Sequence, residues 1–278
     1  MPRTSSKPKS EYAIQTVTNA LRMLEVFHDE TELGVSDLAR RLGLHKNNAF
    51  RLLATLELAG YIQQTPATEL YHLGPRCLEL GQAFARSHSL LDRARPILQA
   101  LAAEYGETAH IGVLRGMAVV HLDGALPDQL VLSGLRVGTR LGAHCTALGK
   151  VLLAGELGHF GPAGGSLSPA GADAIDAAQV LRSGAPLEQH TPATLADPAK
   201  LVEELRSVQL RGYGVDVDEY AVGLRCVAAP VRDGGNRVVA AISLSGPASR
   251  LDEEALHGPI ADAVIQAADR LSAAIGAA

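Results

Sequence analysis

Apolar positions near the N-terminus recur at helical spacing. Val17, Ala20, Leu21, Leu24 and Phe27 fall at i, i+3, i+4 and i+7 intervals and predict an amphipathic helix that opens at Thr16 or Thr18, whose hydroxyls can cap free amides. Leu38, Ala39 and Leu42 repeat the pattern over two turns, with Ser36 as the expected N-cap and Gly43 as the stop. The next segment, HKNNAFRLLATLELAG, turns Ala49, Leu52, Leu53 and Leu56 inward and ends at Gly60. Two helices joined by so short a Gly-containing turn predict a helix-turn-helix. Residues 61–64 and 69–73 then read as short strands around Thr65-Pro66-Ala67-Thr68, which adds a wing.

Pro75 opens a helix to about residue 87, Pro being favoured at the first helical position, and Ser89 with Asp92 suggests a capping box for another helix to residue 105. From residue 108 the period becomes two. Residues 108–114, 117–122, 130–135, 225–231 and 237–245 are apolar or alternating runs, and Asp233-Gly234-Gly235-Asn236 makes a turn between the last two. Helices are expected over 144–153 and 198–211, and the Gly-, Pro- and Ser-rich stretch 155–171 reads as a loop. The fold class is therefore α/β in the α+β sense. It comprises a disordered tail (1–10), a winged helix-turn-helix (11–74), a linker helix (75–89) and a domain with a largely antiparallel sheet (90–278).

Composition supports folded domains: of 278 residues 47% are apolar and 20% charged, and the length suits two domains. No apolar run approaches the roughly 18 residues of a membrane span, and the cationic residues of the N-terminus precede no apolar signal region. A cytoplasmic protein with no membrane partner is expected. Cys77, Cys145 and Cys226 are too few and too far apart for a disulfide framework or a CxxC metal motif, the ten His residues are scattered, and neither a metal nor a cofactor is expected. The net charge of −5 is uneven, with +1 on residues 1–90 and −6 on the rest, so nucleic-acid binding depends on where cations sit rather than on their number.

That placement is suggestive. The outward face of the third helix carries Asn47, Arg51 and Ala54, flanked by Asn48 and Phe50. Asn pairs bidentately with adenine and Arg with guanine in the major groove, small or aromatic neighbours can touch thymine methyls, and Lys46 at the helix start suits a phosphate. The same face would also serve as an ordinary solvated surface. In the second domain, the helix start near His144 offers Cys145 and Thr146 beside amides able to hold a carboxylate. Cys226, Ser243 and Ser245 are polar positions on apolar strands, and the two serines share one face. Together they outline a small-molecule pocket, although the serines could equally satisfy backbone groups at a strand end. The rival reading is a cysteine-dependent hydrolase or transferase that uses Cys226, or Cys145 with His144 or His110. It lacks a G-x-S-x-G elbow, an H-E-x-x-H, a P-loop or a G-x-G-x-x-G after a strand.

From about residue 13 to residue 274 the chain resembles the IclR family of bacterial transcriptional regulators. GYGVDVDEYAVGLRCVAAPVRD is similar to the family signature at Gly212, Asp216, Glu219, Cys226-Val227-Ala228 and Asp233, and LGAHCTALGKVLLA, AAISLSGPASRL and YHLG are similar to further family blocks. The third helix departs, with Lys46-Asn47-Asn48 and Phe50 where many members have Lys-Ser-Thr and His, and so does Arg232, where an aromatic residue or His is usual. The resemblance implies a homodimer or homotetramer that binds a double-stranded, pseudo-palindromic operator and senses a small effector, often an organic acid, in a GAF-like domain. It implies an effector site at Ala143, Thr146, Asp216, Cys226, Ser243 and Ser245, with Asp216 as either a ligand hydrogen-bonder or a structural cap.

Overall fold

The computed structural model describes residues 12–28, 30–87, 89–129, 134–157 and 186–276, which divide into two compact units after Ser87. The expected tail at residues 1–10, most of the loop expected over 155–171, and residues 130–133 lie outside the described residues.

The first unit contains α1 (Gln15–Glu25), a 3-10 turn (Val26–His28), α2 (Val35–Leu42), α3 (Lys46–Leu58), the hairpin β1 (Ile62–Gln64) and β2 (Tyr71–Leu73), and α4 (Pro75–Ser87). Its core gathers Met23, Phe27, Leu38, Leu42, Ala49, Leu53, Ile62 and Tyr71 from all three leading helices and the hairpin. Each fully buried leucine there stabilises the unit by roughly 2 kcal/mol. Gly43, at φ +66°, takes the left-handed conformation that lets the Leu44 amide return to the Ala39 carbonyl at 2.8 Å, which ends α2 and aims the chain straight into α3.

Two expected caps are corrected. Helix α1 begins at Gln15 after Ile14, and the Thr18 hydroxyl instead donates back to the Ile14 carbonyl at 3.2 Å. Helix α2 starts two residues early at Val35, so Gly34 supplies the cap position and Ser36 already lies inside the helix.

The second unit opens with α5 (Ser89–Tyr105), whose first residue is already helical. It then forms β3 (Thr108–Arg115), β4 (Ala118–Ala125), β5 (Arg140–Gly142), a 3-10 turn (Ala143–Cys145), α6 (Ala147–Leu157), α7 (Pro198–Arg211), β6 (Gly214–Val217), β7 (Leu224–Arg232), β8 (Val238–Pro247), α8 (Glu253–His257) and α9 (Pro259–Gly276). The six strands make one sheet in the order β5-β4-β3-β8-β7-β6 with every neighbouring pair antiparallel. Helices α5 and α9 pack on one face, while α6 packs on the other with α7 against it. Asp197 caps α7 by accepting from the Ala199 amide at 2.8 Å.

Three expectations in this unit change. Gly134 and Leu135 are not in a strand; the chain there instead turns at Gly138 (φ +81°) before entering the short edge strand β5. The helix expected from His144 starts at Ala147, because Thr146 is extended (φ −126°) and leaves the preceding residues in a separate turn. Strands β5 and β6 and the small-residue helix α9 were not expected at all.

Candidate functional site

In the first unit α3 buries Ala49, Leu53 and Leu56 and leaves Lys46, Asn47, Asn48, Phe50 and Arg51 exposed, with Phe50 at 55%. The cations of α2 are engaged locally, Arg40 with Asp37 at 2.7 Å and Arg41 with Glu30 at 2.6 Å. Among the described residues Lys46 and Arg51 form no ion pair and remain available to an outside anion. A groove of about 420 Å³ runs beside this face, lined by Asn48, Phe50 and Arg51 from α3 and by Thr16 and Asn19 from α1.

In the second unit, strand register assembles the pocket. Asp216 pairs with Cys226, Cys226 with Ser245 and Ser245 with Thr108, while Ser243 pairs with His110 in the adjacent row. Alternation along each strand puts these residues on the α6 face, where His121 joins them from β4. The resulting pocket is lined by these residues other than Thr108, together with Arg136, Leu141, Thr146, Ala147, Leu148, Tyr220 and Leu224. Its free space is about 20 Å³, room for about one water molecule.

Each predicted residue has a definite place. Thr146 caps α6: its hydroxyl accepts from the Gly149 amide at 3.2 Å and donates to the Gly142 carbonyl at 3.1 Å. Asp216 Oδ1 accepts from the Glu219 amide at 2.8 Å and the Tyr220 amide at 3.4 Å, and its buried Oδ2 has no partner among the described residues. Burial, then the nearby Glu219 carboxylate, pushes Asp216 up to about 7. Cys226 is buried, its thiol held above the ordinary range chiefly by burial and hydrogen-bonded to Ser245. That setting is the reverse of a reactive nucleophile, which needs an accessible, electropositive environment. Ser243 and Ser245 are buried in the pocket wall. Ala143 packs in the apolar core beneath α6, where its backbone approaches Gly149 more closely than any Cβ would allow, and it does not line the pocket.

Outside the predicted effector set the pocket holds two imidazoles and a guanidinium, those of His110, His121 and Arg136, of which His110 was expected only as a partner for a catalytic cysteine. His110 and His121 meet edge to face at 5.3 Å, and burial first of all drives them down to about 3 and about 4, so both are neutral at physiological pH. His110 Nε2 and His121 Nδ1 have no partner among the described residues. The alternation of Thr108 and His110 with buried Ala109 and Ile111 was the signal that could have revealed His110. Arg136, half-buried and stacked 4.7 Å over the Tyr220 ring, brings a positive charge to the pocket.

Behind the pocket, Lys150 of α6 is 1% exposed and reaches Glu219 at 2.5 Å and Glu204 at 3.4 Å. Burial raises Glu219 while Lys150 lowers it. The hydroxyls of Thr191 and Thr194 donate to the carbonyls of Asp218 (2.7 Å) and Glu219 (2.6 Å), pinning the loop that carries Tyr220.

Comparison with known proteins agrees with this architecture. The family model for the IclR helix-turn-helix domain matches residues 16–66, and that for the bacterial transcriptional regulator IclR C-terminal region matches residues 82–157 and 164–273. The chain is 36% identical over 259 residues, 93% of its length and 86% of the relative's, to the HTH-type transcriptional regulator BhcR of Paracoccus denitrificans. A crystal structure of an IclR-type transcriptional regulator from Alicyclobacillus acidocaldarius superposes with a TM-score of 0.77 at 26% identity, covering 96% of this chain and 99% of that one. A structure of an IclR homolog from Microbacterium hydrocarbonoxydans complexed with 4-hydroxybenzoate shares the fold, with a TM-score of 0.72 at 24% identity over 95% of this chain and all of that one. These relatives are regulators rather than enzymes, which sets aside the cysteine-hydrolase reading. The winged helix, the exposed polar face of α3 and the antiparallel effector-type domain thus have one explanation: the chain belongs to the IclR family of DNA-binding transcriptional regulators.

Proposed function

We propose that this regulator controls a catabolic operon in response to a small organic acid bound in the pocket between the sheet and the start of α6. The observation that carries the reading is the convergence of Arg136, the first turn of α6 and the buried polar row Asp216, Ser243 and Ser245 on one cavity. A guanidinium and a helix N-terminus favour a carboxylate, and the neutral imidazoles of His110 and His121 can hydrogen-bond a polar substituent without adding charge. The carboxylate bound by the Microbacterium homolog is of the same chemical class.

DNA is read by Asn47, Asn48, Phe50 and Arg51 on the exposed face of α3, with Lys46 on a phosphate. One α3 makes few base contacts, so a homodimer or homotetramer sets two of them in successive major grooves about 34 Å apart. Because the pocket has room for about one water molecule, a larger effector must part its walls. It therefore favours the opened arrangement, and the shift in population cannot exceed its differential affinity for the two arrangements.

The test is thermal stability of the purified protein against a panel of aromatic, aliphatic and keto acids. An acid at 100 times its dissociation constant adds about 2.7 kcal/mol to the folded state, and Arg136→Ala and Ser243→Ala should each diminish that gain. Stabilisation undiminished in Arg136→Ala, or no stabilisation by any acid of the panel, would overturn the effector assignment.

A further inference from the structure

His144, Cys145 and His190 are far apart in sequence, yet one ligand atom from each lies within 4.8 Å of the other two. We propose that these three side chains form a binding site for a borderline-soft divalent transition-metal ion, Zn²⁺ above all, with a fourth coordination position left to solvent or a small ligand.

The donor chemistry fits that ion. One thiolate and two imidazoles suit zinc, with copper and nickel as competitors, whereas calcium and magnesium require oxygen ligands. Three protein ligands and one open position also match the coordination of non-structural zinc sites.

The surroundings of His144 prepare it for ligation. Its Nε2 lies 2.8 Å from the Glu188 carbonyl oxygen, an acceptor only, so the ring proton is held on Nε2 and Nδ1 keeps a free lone pair. This is the second-shell hydrogen bond that orients metal-ligating histidines. His144 Nδ1 and Cys145 Sγ face the same side: a point one Cβ bond from Gly142 lies 3.0 Å from the first and 3.2 Å from the second. Both side chains are buried, and the turn Ala143–Cys145 holds them in place.

His190 is exposed, stacked on His144 with ring centroids 6.2 Å apart and tilted against Tyr220 at 5.4 Å. Tetrahedral zinc wants ligand atoms roughly 3.3–3.6 Å apart, so binding draws the three atoms together, His190 being the exposed one of the three and the freest to move. On binding, the Cys145 thiol gives up its proton, now directed at the Gly142 carbonyl at 3.4 Å, to solvent; a sulfur–metal bond replaces the S–H bond and both imidazoles stay neutral. The ion would tie the turn before α6 to the segment pinned by Thr191 and Thr194, two parts of the frame around the pocket. The inference stands on this geometry and does not depend on the nature of the effector.

The test uses the full-length protein, stripped with a chelator, kept reduced and titrated with Co²⁺. The expected result is a thiolate-to-cobalt charge-transfer band with tetrahedral visible bands, saturating at one ion per chain and displaced by Zn²⁺. Cys145→Ser should abolish the charge-transfer band, while Cys77→Ser retains it. Exposed His190→Ala should fold normally and weaken binding by at least the roughly 10- to 100-fold that even second-shell losses cost. Absence of a thiolate band in the wild-type protein, or unchanged cobalt affinity in His190→Ala, overturns the proposal. These readouts remain decisive if Cys145→Ser fails to fold.

Discussion

Replacing Asp216 by Asn should change how stability depends on pH. In the folded protein Asp216 is 1% exposed and rises from 3.8 to about 7, first through burial and then through Glu219. The unfolded chain releases this proton near pH 3.8, whereas the folded chain holds it until about pH 7. Between those values the native state binds more protons than the unfolded one, so this group's stabilisation, complete below pH 3.8, is lost as pH rises through 7. The difference corresponds to a ceiling of roughly 4 kcal/mol above pH 8. Asn keeps an oxygen for the Glu219 and Tyr220 amides and cannot ionise. Relative to wild type, Asp216→Asn should therefore gain stability steadily from pH 4 to pH 8.

The other titrating groups nearby are accounted for by taking the difference. His110 and His121, lowered to about 3 and about 4, lose stability in the opposite sense, as pH falls below 6.5, and they do so in both proteins. The Cys145 and Cys226 thiols are pushed up by burial and stay protonated across this range. Glu219, whose carboxyl is raised first by burial, keeps that cause in both proteins. Urea midpoints by circular dichroism at intervals of one pH unit would measure the effect. A difference between the proteins that is flat across this range would refute the burial argument.

Three further outcomes follow from local packing and charge. Gly149→Ala places a Cβ 2.2 Å from the Ala143 carbonyl oxygen, against backbone, and should destabilise by about 1–3 kcal/mol or more; Gly81→Ala, in α4 with no atom within 4 Å, should stabilise by about 0.5–1 kcal/mol, and thermal melts compare the two. Lys150→Met leaves Glu219 without its buried counter-charge, while Glu204 keeps Arg211 at 2.7 Å, and should cost about 3–5 kcal/mol, of which a double variant with Glu219→Gln recovers a large part, as a double-mutant cycle would show. Ser243→Ala should weaken effector binding in calorimetry and leave operator affinity intact, Ser243 lying in the pocket wall and not in the first unit.

The winged helix could be read from the chain because its signals are local: apolar spacing within α1 to α3, Gly43 between helices, and Thr65 to Thr68 between two short strands. The shared face of Ser243 and Ser245 was readable for the same reason, since period two needs only one strand. Residues whose roles depend on register were hidden. His110 meets His121 only through the β3–β4 pairing, which shifts at Ile111/Gly112, and no local pattern encodes that shift. Arg136 lies in an irregular turn without periodicity, and His190 reaches His144 only through tertiary folding. Strand β6 escaped because GVDV is four residues long and contains an aspartate, and β5 because three residues show no period. Helix α9 carries Ile260, Val264, Ala267, Ala268 and Leu271 at helical spacing, but its alanine-rich surface gave a weak apolar contrast. The helix ends were misread where a hydroxyl stood near a start but a neighbouring backbone had already turned, as at Ser36.

One binding experiment weighs the whole account. A duplex selected from a random pool by the purified protein is titrated with wild type and with Arg51→Ala, and single-base variants of the duplex are included. If α3 reads DNA, Arg51→Ala should lose roughly 1–3 kcal/mol, about 5- to 150-fold in affinity, and relax preference at a guanine in each half-site while keeping the fold and effector response of the second unit. Equal affinity and an unchanged base preference in Arg51→Ala would contradict the assignment of this face.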